Sequence, residues 1–336
     1  MMKLHRNVRL LPLLLVVMLL LAAGCASGAQ PDEADSIAPS PTVVVPSSPT
    51  NEPTAEPTSA PMIIQDGLGR EVQLEGPAQH ILSMAPSNTE LLFAIGAGGQ
   101  IVGRDEISDY PPEAAAIASI GSTYGELNTE AILALEPDLV LAATITSPEQ
   151  IQTLENLGLR LYLLPNPMTF DELFANVITV GKLTGHESEA QELAESLQGR
   201  VQDVTSAMEG VEPVRVFYEV DGTDPSAPWT TGRGTFQDVL IGMVGGENIA
   251  GEIDGWGQIS LESIVTSDPA VIFFASGPWI PTTTDSLIAR TGWESIRAVQ
   301  DGRVYEIDTN WIDRPGPRLV DALERMAQLV HPEKFE

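Results

Sequence analysis

Two glutamates, Glu130 and Glu262, occupy matching places along the chain. Each stands two residues after a helix-capping side chain, Asn128 in one case and Ser260 in the other. Judged by residue type alone, such a carboxylate complements the positive end of its helix, worth about 0.3–1 kcal/mol. A pair of acids is also the core equipment of a glycosidase, and among 47 acidic residues that reading stays open. Nucleophilic and metal chemistry find less to work with. The chain has no G-x-S-x-G elbow, no H-E-x-x-H zinc motif and no P-loop. Gly121-Ser122-Thr123-Tyr124-Gly125 resembles an elbow only superficially, with serine in the wrong place. The four histidines (His5, His80, His186, His331) are scattered, and a lone cysteine, Cys25, allows neither a disulfide nor a cysteine cluster. No metal site and no catalytic group are therefore expected.

The aromatic residues point to binding. All five tryptophans lie after residue 228. Trp229 follows Pro228, Trp256 sits between two glycines, and Trp311 precedes Ile312-Asp313-Arg314. These are loop contexts, where a large ring is not needed for a local core. Loop aromatics on a rigid scaffold suit a wide, flat ligand. Tyr110 and Tyr124 occupy loops of the first half. Trp279 and Trp293 are expected to be structural. Arg314 and Arg318 flank Pro315-Gly316-Pro317, where they either meet an anionic ligand or fix the loop. Ser87 and Asn88 precede Glu90 at capping-box spacing, so they are expected to cap a helix, with exposed N–H groups there available to ligand oxygens.

Charge narrows the partners. The formal net charge is −30, and the basic residues before position 25 (Lys3, Arg6, Arg9) belong to an apparent leader. Nothing offers a basic track for nucleic acid or for anionic lipid. Leu10 to Leu21 is an apolar run too short to span a membrane comfortably, and it ends in Leu21-Ala22-Ala23-Gly24-Cys25. Residues 1–24 thus read as a secretory signal peptide. The segment resembles the lipobox of bacterial lipoproteins, which implies lipidation of Cys25. Residues 25–61 are rich in Pro, Ser and Thr, with eight prolines from Pro31 to Pro61. They read as a disordered tether spanning roughly 35 Å.

The elements that must position these residues repeat. Asn128-Thr129-Glu130-Ala131-Ile132-Leu133-Ala134-Leu135-Glu136-Pro137-Asp138-Leu139-Val140 reads as cap, helix, proline stop and buried strand. Ser260 to Phe273 reads the same way. Helix and strand alternate throughout the folded part, which predicts an α/β fold with largely parallel sheets in two similar lobes. Lobe boundaries at 62–168 and 210–336 leave 169–209 as a connecting helix, or helix pair, with apolar residues near helical spacing.

Together these segments resemble the binding proteins of cobalamin and ferric-siderophore importers. The resemblance is carried by Asp66-Gly67-Leu68-Gly69-Arg70, Ala85-Pro86-Ser87-Asn88-Thr89-Glu90, Asp109-Tyr110-Pro111-Pro112-Glu113, Asn128-Thr129-Glu130 and Glu136-Pro137-Asp138-Leu139-Val140. Gly245-Gly246-Glu247-Asn248-Ile249, Trp256-Gly257-Gln258-Ile259-Ser260-Leu261-Glu262, Gly302-Arg303-Val304-Tyr305 and Arg314-Pro315-Gly316-Pro317-Arg318 continue it in order. It implies two Rossmann-like lobes joined by a long rigid helix, the class III fold of periplasmic binding proteins, with the ligand in the cleft. It implies that Glu130 and Glu262 dock on arginines of a permease dimer served by an ATPase. It implies that Tyr110, Trp256 and Trp311 border the ligand. On this reading the chain is an exported, lipid-anchored monomer on the outer face of the cytoplasmic membrane or in a periplasm. It has no cofactor, and its cargo is a cobalt corrinoid or, alternatively, a ferric siderophore or haem. A secreted hydrolase and a surface scaffold are the competing classes.

Overall fold

The computed structural model describes residues 61–277, 280 and 282–335. The expected leader, Cys25 and the tether to residue 60 lie outside the described residues, as does Trp279.

The folded part begins with a hairpin of β1 (Met62–Gln65) and β2 (Glu71–Leu74), antiparallel with Met62 opposite Leu74. Its turn is built by Asp66, whose carboxylate accepts the N–H groups of Leu68 at 2.9 Å and Arg70 at 3.0 Å. Gly67 is required because its backbone touches the first lobe: a Cβ there would lie 2.9 Å from the Leu163 carbonyl oxygen.

The first lobe follows as β3 (Ile81–Ser83), α1 (Pro86–Ala94), β4 (Ile101–Arg104), α2 (Thr129–Ala134), β5 (Leu139–Ala143), α3 (Pro148–Asn156) and β6 (Leu161–Leu164). Its strands pair in parallel in the order β4-β3-β5-β6. The strands β5 and β6 are buried along their whole length, as expected of unbroken apolar runs covered on both faces.

Two helices then intervene, α4 (Phe170–Thr184) and α5 (Glu187–Ala207). The second lobe runs through β7 (Val214–Asp221), β8 (Trp229–Thr231), α6 (Phe236–Met243), β9 (Gly246–Asn248), β10 (Trp256–Gln258), α7 (Leu261–Ser267) and β11 (Val271–Ser276). It ends with α8 (Thr284–Ile288), α9 (Arg297–Gln300), β12 (Val304–Asp308), α10 (Thr309–Ile312) and α11 (Leu319–Val330). Here β9, β7, β11 and β12 pair in parallel in the same relative order as β4-β3-β5-β6. An antiparallel ribbon of β8 and β10 extends this sheet from the far half of β7. The predicted repeat is therefore a repeat of topology.

The local signals behave alike in the two copies. The Asn128 side chain caps α2 by accepting the Ala131 N–H, and Ser260 caps α7 by accepting the Ser263 N–H, each at 3.1 Å. Each helix is followed by a residue of positive φ placed just before a proline, Glu136 (φ 47°) before Pro137 and Asp268 (φ 45°) before Pro269.

The connector departs from a single long helix over 169–209. Gly185, left-handed at φ 76°, closes α4 and turns the chain. The two helices then pack so closely that a Cβ on Gly181 would lie 2.4 Å from that of Ala190. The long element is α5, with 21 residues and a length of about 30 Å. Its buried stripe (Ala190, Ala194, Leu197, Val201, Val204) shares one hydrophobic core with Leu91 and Leu92 of the first lobe and Tyr218, Val271 and Leu323 of the second. Arg200 ties the same helix to α11 through Glu324, at 2.7 and 2.6 Å, and Asp321, at 2.6 Å. Each lobe also has a smaller core of its own.

Candidate ligand-binding cleft

Between the lobes lies a cavity of about 250 Å³. The first lobe contributes Asn166, Pro167 and Met168 from the segment after β6. The second contributes Val220, Phe236, Gln237, Trp256, Ile312, Asp313, Pro315 and Leu319. The lining is mainly apolar and contains no lysine or arginine. A space this size takes the edge or a side group of a macrocycle, so a larger ligand must lie across its mouth.

Trp256 stands at that mouth. The ribbon register pairs Trp256 with Thr231 and Gln258 with Trp229, which puts the two tryptophans on one face of the ribbon. Trp256 is 59% exposed and Trp229 46%. A tryptophan left bare on a strand is not satisfying a core, so its apolar surface is available to a ligand.

On the second lobe the polar side of the cavity comes from Gln237 and Asp313. The Gln237 amide donates to the Asp313 carboxylate at 2.9 Å. Its own oxygen is buried and has no partner among the described residues. Burial pushes the Asp313 carboxyl above its ordinary range, opposed by that hydrogen bond. Beneath them the Tyr218 hydroxyl is buried and also unpartnered among the described residues. Burial, with the Asp313 charge added, drives the Tyr218 pKa well up. Residue type and local pattern flagged none of these three, because each sits inside an ordinary helix, strand or turn sequence.

Across the cleft the two lobes are joined by charge. Glu90, buried on α1, accepts both Arg318, through Nε at 2.8 Å and Nη2, and Arg314, at 3.2 Å. Arg314 also reaches the Asp109 carboxylate at 2.7 Å and the Ile107 carbonyl at 3.3 Å. The Arg318 guanidinium lies 4.0 Å from the centre of the Tyr110 ring, a cation–π contact. The Tyr110–Pro111 peptide is cis.

A family described as periplasmic binding protein matches residues 81–310. The chain belongs to the periplasmic binding protein family. This member is 30% identical over 330 residues to an uncharacterized ABC transporter substrate-binding lipoprotein, YvrC, of Bacillus subtilis, with 96% of each chain covered. It superposes on the crystal structure of the periplasmic vitamin B12-binding protein BtuF of Vibrio cholerae with a TM-score of 0.65 at 27% identity, covering 77% of this chain and 99% of that one. The apo form of the periplasmic heme-binding protein RhuT from Roseiflexus gives 0.68 at 25% identity, covering 76% and 99%. The class III architecture is thus shared with a vitamin B12-binding and a heme-binding protein.

Within this periplasmic binding protein the expected site residues divide. Trp256 lines the cavity, Trp229 shares its face, and at the junction of the lobes Tyr110 stacks on Arg318 while Arg314 pairs with Glu90 and Asp109. Trp311 belongs to α10 and packs, partly buried, against the main core. Tyr124 is 70% exposed on a loop whose Thr123 and Gly125 carbonyls are held by Gln150, at 2.9 and 2.7 Å, and it is not among the cavity residues. The capping expectation at Ser87 and Asn88 is corrected. The N-cap of α1 is Ala85, with no side-chain cap. Asn88 instead donates to the Leu141 and Ala142 carbonyls at 3.0 and 3.1 Å, knitting α1 to β5. Ser87 packs beside Gly316 of the other lobe. Pro86 takes the first helical position, which puts Ser87 and Asn88 inside the first turn, past the place from which a side chain caps. Trp293 is fully buried beside Phe217, as expected of a structural residue. Glu130 and Glu262 are exposed in the first turns of α2 and α7, one per lobe.

Proposed function

We propose that this protein is the extracytoplasmic solute-binding component of an ABC importer, and that its cargo is cobalamin or a related corrinoid. Membership of the family and likeness to the vitamin B12-binding protein support the transport role. The observation that carries the ligand class is the cleft itself. Its mouth presents bare tryptophan surface, its lining is mainly apolar, and its polar lining side chains are the amides of Asn166 and Gln237 and the Asp313 carboxyl, with no cation among them. Primary amides on the rim of a corrin can both donate to and accept from such neutral amides and donate to the carboxyl. Nothing in the cavity lining supplies the cations that a carboxylate-rich ferric chelate or haem would seek.

Glu130 and Glu262, matched in position and exposed, are read as the two contacts that dock the loaded protein on a two-fold permease, where arginines would meet them. Lipidation of Cys25 would hold the protein at the membrane. We read the chain as a binder rather than a catalyst.

Calorimetric titration of the purified chain with cyanocobalamin, beside a ferric siderophore, tests the assignment. Saturable one-to-one binding of the corrinoid is the expected result. Binding of the siderophore alone would keep the transport role and move the cargo to iron.

A further inference from the structure

Arg314 and Arg318 are the cations nearest the cleft wall formed by Asp313, Pro315 and Leu319, and both are already engaged. Their side chains are only 15% and 13% exposed, and the Glu90 carboxylate between them is 2% exposed. Three guanidinium hydrogen bonds converge on Glu90. Arg314 also donates to the Asp109 carboxylate, 67% exposed, and to the Ile107 carbonyl. An anionic group entering the cleft would have to displace Glu90 from both arginines. Glu90 has nowhere to go, because a buried carboxylate stripped of its partners bears the full cost of desolvation. The Asp313 carboxyl, held by Gln237 in the cavity wall, acts in the same direction, attracting donors and repelling carboxylates.

We propose that Glu90 is a specificity-determining residue: by neutralising Arg314 and Arg318 from the opposite lobe, it makes the cleft select ligands whose peripheral groups are neutral amides and reject those carrying free carboxylates. This deepens the corrinoid reading and rests on it for the choice of ligand, but the charge selection is a property of the cleft. Glu90 acts through the two arginines and is a positioning residue, not a ligand contact.

The test uses two probes of one shape: cyanocobalamin and its monocarboxylic derivative, in which one propionamide is hydrolysed to the acid. At neutral pH the full chain is expected to bind the acid about tenfold more weakly than the amide. Glu90→Gln should shrink that preference to about threefold or less, because Arg318 then has no carboxylate partner and Arg314 keeps only the exposed Asp109. A melting curve checks that this variant folds. Asp109→Asn alters the exposed end of the same network without burying anything new, and is expected to lose part of the discrimination. Equal binding of the two probes by the native chain would overturn the proposal, as would undiminished discrimination in both variants. If neither corrinoid binds, the ligand assignment falls, and the charge selection is read on a neutral ferric trihydroxamate against anionic ferric citrate. Preference for the neutral chelate then upholds it, and equal or reversed preference overturns it.

Discussion

Glu136 and Asp268 are the non-glycine residues of positive φ among the described residues, and they hold the same place in the two lobes, after a short capped helix and before a proline. Their surroundings differ. The Asp268 carboxylate accepts the Arg297 N–H at 2.8 Å, while Glu136 is exposed. A left-handed backbone costs a side-chain-bearing residue about 1–2 kcal/mol. Glu136→Gly should therefore raise stability, by about 1 kcal/mol once the added freedom of the unfolded chain is subtracted. Asp268→Gly should gain less or lose, because it also removes the bond to Arg297. Thermal melts of the two variants against the native chain check the asymmetry, and an equal gain in both would refute it.

Asp313 makes stability depend on pH. Its folded pKa is raised by burial above the ordinary value of 3.8, so the native state holds its proton where the unfolded chain has released it. Stability from this group is present below the unfolded value and declines as pH rises through the folded one. Asp313→Asn should thus melt higher than the native chain at neutral pH, with the difference closing on acidification below the unfolded value. A melting series across pH reads this. A difference that widened in acid would reverse the sign and sink the argument.

Trp256→Ala should weaken corrinoid binding by about 1–3 kcal/mol if the ring covers the ligand. Trp311→Ala should instead lower the melting temperature, since that ring packs on the core. A titration and a melt of each variant separate the two roles. Unchanged affinity in the Trp256 variant would assign it to the ribbon alone.

Reversing charge at Glu130 and Glu262 together, to arginine, should abolish uptake in cells while leaving affinity for the corrinoid unchanged. Transport and calorimetry on the same double variant decide it. Loss of affinity as well would mean that these residues do not act at the permease.

The parts of this fold that could be read in advance are those written locally. Asn128 and Ser260 announce helix starts, Pro137 and Pro269 announce stops, and the runs after them are too apolar to be anything but buried strands. The two-lobed repeat follows from those signals. The junction between the lobes does not, because Glu90 and Arg318 are 228 residues apart in sequence. In its own segment Glu90 looks like half of a capping box, and only tertiary structure gives it to the arginines. Gln237 and Asp313 were invisible for a related reason, since a polar residue in a helix or turn has a solvated role by default. Trp311 misled in the opposite direction. Its sequence context is a loop, but Asp308 caps a short helix there by accepting the Asn310 N–H at 2.8 Å, and the ring turns onto the core.

The core that α5 shares with both lobes has a consequence for signalling. A receptor whose halves share one packed core is expected to change its outline little on loading, so its silhouette would tell a transporter little about cargo. Both forms then compete for the same dock. The importer's efficiency depends on how the occupied fraction of the receptor pool compares with the empty one, and on the cargo's own exposed surface to tell them apart.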